Sequence, residues 1–126
     1  MARSRLLLMV AVVVAASAVA AMSATAAPSR VHLIVTPELV FRGQYVLLHG
    51  NAGSCPVGDT VFLISHAFVR RHTFAGIPAV LAKVTSGGHF RVRTRIPRST
   101  HSGLYHIAAR CGGGNLGIAG SIRVGR

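Results

Sequence analysis

Ser86-Gly87-Gly88-His89-Phe90-Arg91-Val92-Arg93-Thr94-Arg95-Ile96 decides how this chain folds. Phe90, Val92 and Ile96 fall on one side of a two-residue period, and Arg91, Arg93 and Arg95 fall on the other. Successive side chains of a strand point to opposite faces, so 89–96 reads as a β-strand with one face buried and one face wet. The glycines before it read as a hairpin turn.

The same reading extends in both directions. Towards the C-terminus, 97–102 is a turn-rich connection and 104–111 is a strand with Tyr105, Ile107 and Ala109 inward. Gly112-Gly113-Gly114 makes a loop, and 116–124 closes the fold with Ile118, Ile122 and Val124 inward. Towards the N-terminus, 78–85 is a strand opening near Pro78, which cannot donate to a ladder and suits a strand start or an edge. The stretch 67–76, with Phe68, Arg70-Arg71-His72 and Phe74, fits a short edge strand or a wandering loop. In 60–66, Val61 and Leu63 share one face and Phe62 and Ile64 the other, as in a strand covered on both sides at a sheet centre. Earlier strands are 45–50, with Val46 and Leu48 inward and His49 outward, and 30–36, with Val31, Leu33 and Val35 on one face. Pro37 breaks the ladder, so a kink or a switch between sheets is expected there. No segment after residue 28 holds a 3.6-residue period over about ten residues.

Seven or eight short strands in one small domain give an all-β fold, an immunoglobulin-like antiparallel β-sandwich. Tyr105, near the start of the penultimate strand, suits a tyrosine corner, in which its hydroxyl bonds back to the chain upstream. There is no tryptophan. The second cysteine follows Tyr105 by six residues, so a disulfide would join loops or strand ends at one pole and not bridge the sheets as in antibodies.

The ends and the composition speak to compartment. Arg3 and Arg5 precede an apolar run over 6–21, and Ala24-Thr25-Ala26 offers a small-residue cleavage site. That is the pattern of a secretory signal peptide over 1–26, leaving a domain over 27–126 that is secreted, outside the cell or at its envelope. An uncleaved anchor is the rival, but 6–21 falls short of the ~20 residues a span needs. Cys55 and Cys111 are the two cysteines, and in an exported chain they read as one disulfide. In the chain-entropy model a closure of that size contributes about 4 kcal/mol.

The full chain carries 14 Lys and Arg against 2 Asp and Glu, a net +12. Removal of Arg3 and Arg5 leaves twelve basic residues against Glu38 and Asp59, a formal +10. Such a field attracts anionic surfaces. The candidate anion face is Arg91, Arg93 and Arg95 on one strand, with Arg123 outward from the other sheet. The candidate ligand loop is Arg110, Gly112, Gly113, Gly114 and Asn115, whose glycines permit positive φ and close backbone approach.

Three segments, Cys55-Pro56-Val57-Gly58-Asp59-Thr60-Val61, Phe74-Ala75-Gly76-Ile77-Pro78-Ala79-Val80 and Arg110-Cys111-Gly112-Gly113-Gly114-Asn115-Leu116-Gly117, resemble small secreted Ig-like proteins of actinobacteria. The resemblance implies an exported β-sandwich and says little about function. A weaker similarity is to chromoprotein apoprotein sandwiches, which hold small apolar ligands.

Chemistry is sparsely equipped. Glu38 and Asp59 are the only acids, no Gly-x-Ser-x-Gly occurs, and a disulfide removes any thiolate, so no catalytic residue and no enzyme is expected. The seven histidines, His32, His49, His66, His72, His89, His101 and His106, form no H-x-x-x-H. His101 with His106, and His66 with His72, flank turns, but zinc sites normally converge three or four ligands, so no metal or cofactor is expected. The composition therefore predicts a monomeric, non-enzymatic secreted binding or adhesion module with a basic surface, meeting an anionic cell-wall polymer or membrane. Nucleic acid is argued against by the scarcity of aromatic platforms. A small-ligand carrier is the alternative, and an uncharacterised enzyme a third.

Overall fold

The computed structural model describes residues 30–126; the signal peptide expected over 1–26 lies outside the described residues. The elements in chain order are β1 (His32–Thr36), β2 (Leu39–Phe41), β3 (Tyr45–Asn51), β4 (Thr60–Ile64), β5 (His72–Phe74), β6 (Ile77–Lys83), a 3-10 turn (Ser86–Gly88), β7 (His89–Arg95), β8 (Gly103–Cys111) and β9 (Gly114–Gly125). They build a three-stranded sheet in the order β1-β3-β7 and a six-stranded sheet in the order β2-β9-β8-β4-β6-β5. The strand beyond the seven or eight expected is the three-residue β2, too short to show a period. One pair departs from the antiparallel expectation: β2 runs parallel to β9.

Alternation places the core. Val46 and Leu48 of β3 and Phe90 of β7 meet Val61 and Leu63 of β4, Ile107 and Ala109 of β8 and Ile122 of β9 in one buried cluster between the sheets. Each such valine, leucine, isoleucine or phenylalanine contributes about 1.5–3 kcal/mol by leaving water. β4 lies inside the six-stranded sheet, between β8 and β6, as its two apolar faces predict. Pro37 marks a real change of sheet. β1 pairs with β3 in one layer, and β2 pairs with β9 in the other, where the Arg123 N–H donates to the Glu38 carbonyl at 2.8 Å.

The glycines before β7 do not make a hairpin. β6 belongs to the six-stranded sheet and β7 to the three-stranded one, so the turn carries the chain across the layers. Asn51 explains how. Its side chain is buried, its Nδ2 donates to the Gly87 carbonyl at 2.9 Å, and its Oδ1 accepts from the Gly53 N–H at 2.7 Å. The Ala52 N–H donates to the Gly88 carbonyl at 2.7 Å. The crossing turn is thus fastened to the end of β3, beside which β7 then pairs. Gly88 has φ +80°, and a Cβ there would lie 2.8 Å from the Gly53 carbonyl oxygen.

Two further ties hold the ends. Cys55 and Cys111 form the expected disulfide, with Cα atoms 5.9 Å apart, joining the loop after β3 to the end of β8. The Tyr105 hydroxyl donates to the His101 carbonyl at 2.7 Å, the upstream bond read from the sequence.

Two outcomes are expected in urea unfolding. The double substitution Cys55→Ala with Cys111→Ala lowers stability by about 2–5 kcal/mol. Gly88→Ala lowers the midpoint more than Gly87→Ala, because the Cβ of the first meets backbone oxygen while that of the second meets the movable His89 ring at 3.2 Å.

Candidate functional site

β7 presents Arg91, Arg93 and Arg95 on its exposed face, while Phe90 and Thr94 are buried and Val92 is half-buried. Antiparallel pairing sets Arg95 opposite Tyr45, Arg93 opposite Leu47 and Arg91 opposite His49. The Arg93 guanidinium carbon lies 4.0 Å from the Tyr45 ring centroid, and that of Arg95 lies 5.9 Å away. Arg95 is also anchored, its Nε donating to the Gly43 carbonyl at 2.7 Å.

β7 is an edge strand of its sheet. The Ile96 N–H donates to the Gln44 carbonyl and the Ile96 carbonyl accepts from the Gly43 N–H, so Ile96 turns its backbone towards β3. Backbone groups alternate along an antiparallel strand, so those of Arg91, Arg93 and Arg95 face the open side. The same three residues therefore turn free N–H donors to that edge, while their side chains stand on the exposed sheet face, where Arg93 and Arg95 lean over Tyr45.

The open side is a groove. β6 and β7 are joined at the Ser86–Gly88 turn but lie in different layers, and they part as they leave it. Between them is a hollow of about 480 Å³. Tyr45, Arg71, His72, Arg93 and Arg95 supply its polar groups; Val69, Val80, Leu81 and Val92 supply apolar wall. Arg71 and His72 come from the 67–76 stretch, where the expected short edge strand forms as β5.

No carboxylate side chain lines this groove. The β3 register places Asn51 and His32 at the disulfide end and Thr36 and Leu47 towards the other. Asp59 lies beside the disulfide and Glu38 just beyond β1, so the two acids occupy opposite ends of the layers. A seven-residue strand spans about 20 Å, far more than the roughly 5–9.5 Å of a glycosidase carboxylate pair.

The other candidates divide. Arg123 does face outward from the six-stranded sheet, between exposed Leu104 on β8 and exposed Leu39 on β2, away from Arg91, Arg93 and Arg95. The expected anion face is thus two separate surfaces. The loop of Arg110, Gly112, Gly113, Gly114 and Asn115 is a tight hairpin and not an open cradle: Arg110 pairs with Asn115 and Cys111 with Gly114. The Gly112 N–H is already spent on the Thr60 carbonyl at 3.1 Å. Arg110 instead lies over Phe74, guanidinium carbon to ring centroid 5.1 Å, and Phe74 packs on Phe62 at 5.4 Å.

Among the described residues, one group of three potential metal ligands converges, Cys55, Cys111 and Asp59 within 4.8 Å of one another, but its two sulfurs are bonded to each other. His66 and His101, expected in different pairs, line one hollow of about 430 Å³ with Tyr105. Tyr45 is not legible in the sequence as a site residue, because only the β3–β7 register brings it to the arginines. For the opposite wall, the Arg70-Arg71-His72 run is the one local signal.

No protein-family model matches the chain, and no curated protein is similar to it. A solved structure, the Pseudomonas fluorescens alkylpurine DNA glycosylase AlkC bound to DNA containing an abasic site analog, is similar in fold, with TM-score 0.53 and 19% sequence identity. The likeness covers 79% of this chain and 31% of that one, so this chain matches about a third of its length. It corrects two expectations. The exclusion of nucleic acid fails against a like fold in a protein bound to DNA, and the cell-envelope adhesion reading, with its cell-wall or membrane partner, gives way with it. The exclusion rested on scarce aromatic surface, yet Tyr45 is 50% exposed beside Arg93 and Arg95.

Phe74→Ala removes the ring that contacts both Phe62 and Arg110. It is expected to cost roughly 1–2 kcal/mol in urea unfolding, less than a fully buried phenylalanine, because the side chain is only half-buried.

Proposed function

We propose that this chain is an immunoglobulin-like module that binds nucleic acid through its phosphodiester backbone, using Arg71, Arg93 and Arg95. The observation that carries this is the convergence of three arginines on one groove without a carboxylate to neutralise them. Arginine suits phosphate well, since its planar fork donates to two phosphate oxygens at once and keeps its charge. The unpaired backbone edge of β7 adds N–H donors along the same line. The net charge supports attraction at a distance, and the fold likeness to a glycosylase bound to DNA supports the kind of polyanion.

The Tyr105 hydroxyl bond and the two facing sheets support the immunoglobulin-like reading. The disulfide and the leader pattern support an oxidising compartment, so the nucleic acid would be met outside the reducing cytosol.

Anisotropy of a labelled oligonucleotide across a salt series tests the reading. Affinity should fall as salt rises, and each of Arg71→Ala, Arg93→Ala and Arg95→Ala should make the log–log slope shallower by about 0.7–0.9. Affinity indifferent to salt, or slopes unchanged in all three variants, would refute a phosphate site here.

A further inference from the structure

The groove also specifies the form of nucleic acid it takes. We infer that it holds an unpaired nucleotide of a single strand, with a base stacked at Tyr45 and flanking phosphates on Arg93, Arg95 and Arg71; this rests on the nucleic-acid reading above.

Four observations point the same way. First, Tyr45 is a half-exposed aromatic ring on a short sheet, with a guanidinium already 4.0 Å from its centroid. With one face covered by a guanidinium, the ring keeps the other as a platform for the π-face of a base. Second, the hollow is bounded on both sides, by β7 and by β5 with β6, and measures about 480 Å³. That is within the roughly 300–1,000 Å³ of sites that take small organic molecules, and it suits a nucleotide, not a double helix. Third, the walls are mixed. Val69, Leu81 and Val92 offer apolar surface to a base, and Arg71, Arg93 and Arg95 line the same hollow. A duplex keeps its base faces stacked inside and presents backbone and base edges, so the ring would have no π-face to meet. Fourth, Arg93 and Arg95 are two residues apart on one strand, hence about 6.8 Å apart along it, a repeat comparable to that of neighbouring phosphates on an extended strand.

The test compares a fluorescein-labelled oligothymidylate with a blunt duplex of the same length, using the full chain at fixed salt. The single strand should bind at least about tenfold tighter. Tyr45→Ala should weaken it by roughly 5- to 150-fold, the loss of one base stack, and Tyr45→Phe should keep the wild-type affinity. The salt slope should stay unchanged in Tyr45→Ala but fall by about 0.7 in Arg71→Ala, which separates stacking from charge. The chain has two tyrosines and no tryptophan, so in a Tyr105→Phe background Tyr45 is the sole fluorophore of its kind. Its emission should be quenched by oligothymidylate. Urea midpoints of the Tyr45 variants and of Tyr105→Phe, which loses the bond to the His101 carbonyl, check that they fold.

Equal or tighter duplex binding, an unchanged Tyr45→Ala, or unquenched emission overturns the single-strand inference while leaving backbone binding in place. Failure to bind either probe overturns the nucleic-acid reading and this inference with it.

Discussion

The buried amide of Asn51 fixes the arrangement on which the groove depends. A polar side chain taken out of water is costly unless its donors and acceptors are met. Asn51 meets both, donating to Gly87 and accepting from Gly53. In doing so it holds the crossing turn against the end of β3. The strand that leaves the turn pairs with β3 and not with β6, and its phase is set from the first residue. Phe90 goes inward and Arg91, Arg93 and Arg95 go outward. Had the chain returned as a hairpin beside β6, the space between the two strands would be filled by a ladder.

That crossing leaves one side of the two layers without a shared strand. Open edges invite association with other chains, and charged side chains are a common protection. Here the arginines of β7 stand at such an edge, so the same residues discourage strand addition and concentrate positive charge beside an aromatic ring. The likeness to the DNA glycosylase is one of fold, and folds host many functions. Function is therefore read from the groove: its arginines, its ring and the absence of carboxylate from its walls.

A small domain with a modest core tolerates this much like charge because its ends are tied. The disulfide closes the chain from the loop after β3 to the end of β8, and the Tyr105 hydroxyl pins the connection before β8. The positive groups are exposed or half-buried, on strand faces and in turns, where water screens them. The interior between the sheets holds aliphatic and aromatic side chains, with Asn51 the largest polar exception among the fully buried ones.

The period of two in 89–96 and in the strands around it was enough, without coordinates, to give an all-β chain and the inward set Val46, Leu48, Phe90, Ile107 and Ile122; the cysteine count gave the Cys55–Cys111 bond, and Pro37 gave a kink or a switch between sheets. Each of these depends on neighbours along the chain, or on there being a single possible partner for a cysteine. Tertiary structure alone decided that β7 joins β3 and not β6, that Tyr45 meets Arg93 and Arg95, that Arg71 and His72 face them, and that Arg123 stands apart. Those relations join residues distant in sequence through pairing register and layer choice. Alternation tells which face a side chain takes, but not which strand will lie beside it.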